Sequence, residues 1–512
     1  MNHCVDAFLK EVLGQVKYKK MHPYLAQELN DHIECIKEDL MEEGFSEEEA
    51  YKKAVAHMGA PDEIGEGLHK LHKPRMEWSV LLLLLGLVGI GLGTMIAYGE
   101  VSGEIYYYSK QMIWILCGLM MLLQIRCFVS YKVLEKYSSL FYLIGIGFLL
   151  ATYHYGIQVN GVRRWIAIGG VAVQGPVLAT PPFIIAYTGY VKKWINKGAL
   201  GQALLALLTV VPTLICVRMQ IVQGICLFIT LGAIFIFYLM SDSFKGNRKK
   251  VWAWILAFSG MMMGTLIAAI VMVPYRLERI KAWFNPALAP NDEGYFINKI
   301  RNICSNASLF GKGEFTDAEE FIIQQYGMTD YTYNFILAYM GKATAFIVAL
   351  VVGCFIIRCF KSAYKVSDQY GRTLMLGISS LLAIRFIFSM GLSLGVLPFH
   401  CTMPLISYSG SAFLCDMAMM GLLLGVYRRK DICPAKLVQK ETLCYETISL
   451  LSELKRYFLV EDDEEEDFEL ELKIDKDYAL QKSDRELAEM ALDILKNSNE
   501  VEHVEVKFKE NV

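Results

Sequence analysis

Residues 78–98 read WSVLLLLLGLVGIGLGTMIAY, 21 consecutive positions without a charged side chain. A helix of about 20 apolar residues spans the hydrocarbon core of a bilayer, which is about 30 Å thick. Nine further apolar segments follow, so the sequence predicts an all-α polytopic membrane protein with about ten transmembrane helices. The predicted spans are residues 78–98, 108–128, 136–153, 175–191, 201–218, 221–240, 251–273, 333–358, 370–396 and 405–427.

Composition supports a membrane protein. The 512 residues are 54% hydrophobic, more than a soluble domain usually carries, and the net charge of −3 indicates no nucleic-acid partner. The 13 cysteines are scattered and form no CxxC pair, which favours free thiols over a disulfide framework or a zinc site. The polar first 75 residues exclude a cleavable signal peptide at this end.

Polar regions flank the membrane segment on both sides. Residues 1–75 predict a cytosolic helical domain, with Leu25, Leu29 and Ile33 on one stripe and a capping-box pattern at Ser46 and Glu49. Residues 76–430 form the predicted membrane domain. Residues 431–512 form a cytosolic tail with an unbroken acidic run, which favours a solvated segment.

Charge predicts the orientation of the bundle. Every second connection between spans is rich in lysine and arginine, and such connections face the cytoplasm. Both termini are therefore expected to be cytoplasmic. The connections at 99–107, 154–174, 274–332 and 397–404 are expected outside.

The connection from Tyr275 to Gly341 is the longest polar one between spans. It opens with an amphipathic segment that predicts a helix on the membrane surface and carries Arg276 and Arg279. Asp330 lies near its end, just before the next apolar run, where a carboxylate could act as a general base. The alternative is an ordinary exposed or helix-capping aspartate.

Two other stretches carry candidate residues. Arg163 and Arg164 precede Trp165, and paired guanidinium groups suit a phosphate or anionic lipid headgroup; ordinary interfacial side chains are the alternative. The entry to the last span, MPLISYSGS at 403–411, is small and rich in hydroxyl groups, which permits close helix packing.

Five segments, in this order, resemble motifs of the SEDS family (shape, elongation, division and sporulation), which includes FtsW, RodA and SpoVE. The resemblance runs from about Trp78 to Lys430. The segments are GVRRWI (161–166), YRLERIKAWFNP (275–286), SLFGKGEF (308–315), MTDYTYNFILAYMG (328–341) and MPLISYSGS (403–411). The start of the chain similarly resembles a three-helix prefix found before some bacterial membrane proteins.

The resemblance implies a peptidoglycan glycosyltransferase of the bacterial cytoplasmic membrane. Such an enzyme polymerises the lipid-linked precursor lipid II on the outer leaflet, usually with a single-span class B penicillin-binding protein that acts as transpeptidase. Asp330 matches the aspartate proposed as catalytic in the family. No metal ligands are identified, and a divalent cation, Mg²⁺ or Mn²⁺, is the one cofactor left open. The expected substrate-binding residues are Arg163, Arg164, Trp165, Arg276, Arg279, Lys312, Ser407 and Ser411.

The chain departs from the family pattern at several polar positions. Val177 and Thr180 replace a glutamate and a lysine at the mouth of the fourth span, and the stretch at Ile221 lacks the family's aspartate. Ala338 and Tyr339 replace a glutamate pair, and Ser409 replaces a glycine. Because ionisable groups inside a membrane are normally functional, two alternatives remain. One is a catalytically degenerate scaffold or regulator of envelope assembly, and the other is a lipid transporter.

Overall fold

The computed structural model describes residues 3–72, 75–103, 106–159, 162–168, 171–241, 244, 249–271, 274–288, 293–398 and 400–430. The predicted acidic tail, residues 431–512, lies outside the described residues. Helices make up most of the described chain, which confirms the predicted fold class.

Residues 3–72 fold into four helices, one more than the resemblance to a three-helix prefix implied. They are α1 (His3–Gln15), α2 (His22–Glu42), α3 (Glu47–Met58) and α4 (Pro61–His72). Val12, Leu29, Ile33, Ala50 and Ala54 are buried between them, as the apolar stripe of α2 predicted.

The turns between these helices follow local sequence chemistry. Gly44, just after α2, has a φ of 96°, which a residue without a Cβ adopts at little cost. Ser46 caps α3 differently from the predicted reciprocal box, because its hydroxyl donates to the Glu49 carboxylate at 2.9 Å and makes no hydrogen bond to the helix backbone. Pro61 is the first residue of α4, since proline suits the first turn of a helix.

The described residues in the first half of the membrane domain contain seven longer helices and one short one. They are α5 (Trp78–Ser102), α6 (Tyr106–Phe128), α7 (Tyr131–Lys136), α8 (Ser138–Tyr155), α9 (Gly175–Trp194), α10 (Gly198–Met219), α11 (Ile221–Leu239) and α12 (Lys249–Val271). Helix α9 keeps Pro181 and Pro182 in its interior, and most of its residues are buried. Neighbouring helices therefore shelter this proline-containing helix.

A small antiparallel sheet lies between α8 and α9, where the sequence predicted only a loop. Its strands are β1 (Ile157–Val159), β2 (Val162–Ile168) and β3 (Val171–Gln174), in the order β1-β2-β3. Trp165 in β2 pairs with Gln174 at the end of β3. The β-branched and aromatic residues of 162–168, Val162, Trp165, Ile166 and Ile168, favour a strand.

The long polar connection is mostly helical. It contains α13 (Pro274–Phe284), α14 (Glu293–Asn306), α15 (Asp317–Tyr326) and α16 (Thr332–Phe335), followed by a π-helical turn at Ile336–Met340. The chain then continues as α17 (Lys342–Tyr364), α18 (Gln369–Ser393) and α19 (Gly410–Arg428). Helix α13 confirms the predicted amphipathic helix at the start of this connection.

Two predicted span boundaries were wrong. The predicted span 333–358 is interrupted at Gly341, and its membrane-length helix is α17. The predicted span 405–427 begins only at Gly410, because residues 403–409 are not helical.

Seven helices of the described chain are long and apolar enough to cross a membrane: α5, α6, α10, α11, α17, α18 and α19. Helices α8, α9 and α12 coincide with the other three predicted spans. Helices α11, α18 and α19 form the buried centre, whereas α6 and α17 expose apolar side chains such as Ile113, Leu116 and Ile347. We call the end of the bundle that carries the sheet, α13–α16 and residues 394–409 the site face.

Candidate functional site

Asp330 lies in a tight turn between α15 and α16 at the site face. The Tyr331 backbone N–H donates to the Tyr326 carbonyl at 3.2 Å, which closes the turn. A second segment supports it, because the Tyr408 N–H donates to the Met328 carbonyl at 2.8 Å. The Asp330 side chain is 31% exposed. The turn therefore holds the residue in place, and one side of its side chain remains open.

His400 connects Asp330 to α13. Its Nδ1 lies 3.3 Å from Asp330 Oδ2, and its Nε2 lies 2.7 Å from an Arg279 Nη atom. Tyr331 packs edge-on against the His400 ring, with 5.7 Å between ring centroids. Asp330, His400 and Arg279 therefore form a continuous polar row, which we call the relay.

The relay determines which His400 nitrogen carries the proton. The Arg279 guanidinium only donates hydrogen bonds, so Nε2 must present its lone pair to it. The proton of a neutral His400 then resides on Nδ1 and points at the Asp330 carboxylate. This arrangement orients the carboxylate through one oxygen and leaves the other oxygen available to accept a proton from a bound hydroxyl.

Residues 403–409 hold the turn from inside the bundle. Ser407 is fully buried, its hydroxyl lies 2.8 Å from the Thr332 hydroxyl, and it accepts the Met403 N–H at 2.9 Å. The predicted close packing of this segment is also present. A Cβ on Gly91 of α5 would lie 2.6 Å from the Ile406 carbonyl oxygen.

A cavity of about 20 Å³ adjoins the relay, enough for about one water molecule. Arg279 and His400 line its polar side, and Phe296, Ile300 and Leu392 line its apolar side. The cavity cannot hold a sugar.

Lys312 belongs to a glycine-rich turn that packs against the break before α17. The Gly313 N–H donates to the Ala338 carbonyl at 3.0 Å, and a Cβ on Gly341 would lie 2.6 Å from the Leu309 carbonyl oxygen. The structure thus brings two of the quoted motifs together. The Lys312 ammonium binds the Glu320 carboxylate at 2.6 Å, and this contact raises the pKa of the lysine.

The arginine pair lies on β2. Arg163 is exposed, and its guanidinium lies 3.4 Å from the Tyr153 carbonyl at the end of α8. Arg164 and Trp165 are half-buried, and the Nε of Arg164 is buried with no hydrogen-bond partner among the described residues. The sheet contacts the last helix through Ser411, whose hydroxyl accepts the Gln174 N–H at 3.4 Å.

Segment 403–411 therefore joins the two halves of the predicted site. Ser407 and Tyr408 hold the Asp330 turn, whereas Ser411 contacts the sheet that carries Arg163, Arg164 and Trp165. Arg276 is placed differently from the rest. It is buried, and its guanidinium donates to the Val217 carbonyl at 3.0 Å, which satisfies an otherwise unpaired carbonyl near the end of α10.

The positions that depart from the family pattern contain a neutral contact. The Gln223 amide donates to the Thr180 hydroxyl at 2.7 Å, and both side chains are buried. A hydrogen-bonded neutral pair therefore lies where the resemblance implied charged groups.

His400 was not among the residues that the sequence predicted for the site. Its contact with Asp330 could have been anticipated from the predicted topology, because the connection 397–404 was placed on the same side as Asp330. The described residues contain no group of three or more histidine, cysteine or acidic side chains able to hold a metal ion.

Comparison with known proteins agrees with the motif order. The family model described as "Cell cycle protein", FtsW/RodA/SpoVE, matches residues 75–432. A probable peptidoglycan glycosyltransferase FtsW of Nitrosomonas europaea is 27% identical over 375 residues, which cover 68% of this chain and 92% of the relative. A probable peptidoglycan glycosyltransferase FtsW of Trichlorobacter lovleyi is 27% identical over 387 residues, covering 72% and 98%.

Solved structures share the fold. A chain from a structure titled "Structural coordination of polymerization and crosslinking by a peptidoglycan synthase complex" aligns with a TM-score of 0.57 at 20% identity, covering 69% of this chain and 98% of that one. The rod shape determining protein RodA of Thermus thermophilus aligns with a TM-score of 0.50 at 16% identity, covering 69% and 97%.

Proposed function

Because the chain belongs to the FtsW/RodA/SpoVE family of cell cycle proteins, we propose that it is a peptidoglycan glycosyltransferase that polymerises lipid II at the outer face of the cytoplasmic membrane. The observation that carries this proposal is the relay. It presents a fixed, partly exposed carboxylate beside the membrane domain, at the position that the family resemblance assigns to catalysis.

Asp330 acts as the general base. An acceptor sugar hydroxyl attacks the anomeric carbon of the donor sugar, and the bond from that carbon to the lipid pyrophosphate breaks. The hydroxyl proton passes to Asp330, and the pyrophosphate leaves with the bonding electrons. His400 keeps the carboxylate oriented, and Arg279 keeps the tautomer of His400 fixed.

The departing pyrophosphate needs positive charge. Arg163, exposed on β2, and the half-buried Arg164 beside it are the candidates that the sheet places near the start of α19. Arg276 has a structural role instead, since its guanidinium donates to a backbone carbonyl of α10. Lys312 stabilises the glycine-rich turn, where its ammonium pairs with the Glu320 carboxylate.

A divalent cation would find few protein ligands here. Among the described residues, Asp330 is the acidic group of the relay, and Arg279 and His400 occupy its other side. Mg²⁺ bound beside phosphates commonly takes one or two carboxylates. Because Asp330 serves as the base, pyrophosphate oxygens of the substrate would be the main ligands of such an ion, which would supply charge stabilisation.

The protein is a multi-pass protein of the bacterial cytoplasmic membrane. We further propose that both termini are cytoplasmic, so that the site face lies outside. The division into residues 1–75, 76–430 and 431–512 is kept as a proposal, supported by the separate core of α1–α4. A single-span class B penicillin-binding protein is the proposed partner, in analogy with the synthase complex whose chain shares this fold.

The test is polymerisation of purified lipid II by the purified full-length protein in detergent or vesicles, with and without Mg²⁺ or Mn²⁺. We expect glycan chains longer than the disaccharide unit. Absence of polymer under every metal condition and with the co-expressed partner would refute the proposal.

A second candidate, a non-catalytic scaffold or regulator, is favoured by one observation. The buried Thr180–Gln223 pair is neutral where the resemblance implied charges. A scaffold predicts that Asp330→Asn restores growth to a deletion strain as well as the wild type does. Growth restored by the wild-type gene but not by Asp330→Asn would rule out the scaffold hypothesis.

A further inference from the structure

The glycine-rich turn before α15 presents two large apolar side chains at its surface. Leu309 is 63% exposed and Phe310 is 74% exposed. The turn has a defined shape, because the Ser308 hydroxyl lies 2.9 Å from the Phe310 carbonyl oxygen and 2.6 Å from the Gly311 carbonyl oxygen. Gly311 completes the turn with a φ of 73°. The backbone therefore holds both side chains in an exposed position.

The same turn is joined to the beginning of α17 by backbone hydrogen bonds. The Lys342 N–H donates to the Ser308 carbonyl at 2.9 Å. The next N–H along the helix, that of Ala343, donates to the Leu309 carbonyl at 3.0 Å. Both N–H groups belong to the first turn of α17, where a helix has no internal acceptors for them. These contacts place Leu309 and Phe310 beside the end of α17 at the site face.

This end of α17 lies at the boundary of the bilayer. Helix α17 has 23 residues and is apolar enough to cross a membrane. At a rise of about 1.5 Å per residue, its length matches a hydrocarbon core of about 30 Å, so each of its ends lies near one boundary. Phe346 and Ile347, one turn after its start, are exposed and face the lipid. The exposed apolar residues of the turn therefore adjoin the lipid-facing residues of α17.

We propose that Leu309 and Phe310 insert into the phospholipid leaflet at the site face and anchor the long polar connection to the membrane surface. Phospholipid is the occupant, because it already surrounds the adjoining face of α17. An apolar pair in contact with lipid leaves less apolar surface in water than the same pair in a solvated loop. This membrane contact goes beyond the proposed function and does not depend on it.

The residues that flank the apolar pair suit a lipid surface. Lys312 follows it in the turn, and Lys342 is the first residue of α17; both are exposed. Ammonium groups at this level lie among phospholipid headgroups, and an aromatic ring such as that of Phe310 suits the layer just beneath them. The Lys312 ammonium also binds the Glu320 carboxylate at 2.6 Å. The inserted turn therefore holds α15, the helix before the Asp330 turn, near the membrane surface.

A photoreactive side chain at position 310 identifies what that position contacts. Full-length Phe310→p-benzoylphenylalanine is reconstituted into vesicles of phosphatidylcholine and phosphatidylglycerol and irradiated, and its adducts are identified by mass spectrometry. The matched control is Phe321→p-benzoylphenylalanine. Phe321 belongs to the same connection and is 64% exposed, but it lies on α15, whose first turn is acidic. We expect phospholipid adducts at position 310, and about tenfold fewer of them at position 321.

Cross-links from position 310 to protein in place of lipid, or equal lipid adducts at the two positions, would overturn the proposal. If the photoreactive proteins do not reach the membrane, Phe310→Trp and Phe321→Trp make the same comparison in vesicles that contain brominated phospholipid. The bromine atoms should quench the tryptophan added at position 310 more strongly than the one added at position 321, and equal quenching would overturn the proposal. Neither readout involves lipid II, so the membrane contact and the proposed function can fail separately.

Discussion

At the scale of single residues, the proposed role of Asp330 as a base depends on how His400 is held between Asp330 and Arg279. The motif resemblance predicted Asp330 and Ser407, and the structure places them in adjoining segments. It could not predict the relay, because the resemblance carried no partner for the aspartate and His400 lies outside the quoted motifs. The sequence likewise suggested Arg276 as a substrate-binding residue. It could not show that the Arg276 side chain lies beside the end of α10.

His400→Asn and His400→Phe should differ in activity. The asparagine amide can replace Nδ1–H as a donor to Asp330, whereas phenylalanine keeps the ring shape and donates nothing. Loss of a hydrogen bond to a charged group costs about 1.5–3 kcal/mol. We expect a 10- to 100-fold lower kcat for phenylalanine, a smaller loss for asparagine and a similar KM in both. Equal rates would show that the donor to Asp330 is unimportant.

Ser407→Ala should destabilise the protein more than Ser411→Ala does. Ser407 is fully buried, and its loss leaves the Met403 N–H and the Thr332 hydroxyl without this partner. An unsatisfied buried polar group costs about 1–3 kcal/mol. Ser411 is less buried and makes one long contact at 3.4 Å. Thermal unfolding in detergent should show the difference, and matching shifts would contradict this assignment.

At the scale of elements, hydrophobic length predicted where the helices are but not where they break. The sequence from 333 to 358 reads as one apolar span, yet Gly341 has a φ of 93° and separates a π-helical turn from α17. The reason is a long-range contact, because the backbone at Leu309 and Phe310 occupies the space beside Gly341. The composition of 162–168 similarly could not predict its strand partners.

Gly341→Ala and Gly353→Ala provide a matched comparison at this scale. A Cβ at Gly341 would lie 2.6 Å from the Leu309 carbonyl oxygen in a left-handed backbone, whereas a Cβ at Gly353 in α17 meets nothing within 4 Å. We expect Gly341→Ala to cost about 1–3 kcal/mol. Gly353→Ala should stabilise the helix by about 0.5–1 kcal/mol. Equal melting temperatures would refute the strained contact.

At the scale of the whole molecule, the membrane-length helices and the N-terminal helices α1–α4 were predictable because they depend on hydrophobic length and period alone. The side-chain contacts between helices were not predictable, since they join segments that are distant in sequence. One such contact lies at the bundle end opposite the site face. There Glu77, just before α5, binds Arg358 of α17 at 2.9 Å and lies 3.9 Å from Lys365.

Glu77→Gln should lower the melting temperature in a pH-dependent way. Burial raises the pKa of the Glu77 carboxyl, but hydrogen bonds from Tyr427 and Ser79 and two nearby cations outweigh it, so the pKa lies below its ordinary value. A lowered pKa stabilises the folded protein above the unfolded value, and this contribution disappears as the pH falls through the folded value. The variant should be about 1–3 kcal/mol less stable at neutral pH. The difference should begin to shrink as the pH falls below the unfolded value of about 4.3.

The direct test of Asp330 as the general base is the rate of lipid II polymerisation by Asp330→Asn beside that of Asp317→Asn. Both changes remove one carboxylate from the same connection, but Asp317 is exposed at the start of α15 and is not part of the relay. Loss of a general base predicts a rate about 100- to 10,000-fold lower for Asp330→Asn, with unchanged melting temperature. Asp317→Asn should polymerise at nearly the wild-type rate. Polymer formed by Asp330→Asn at the wild-type rate would show that Asp330 is not the general base.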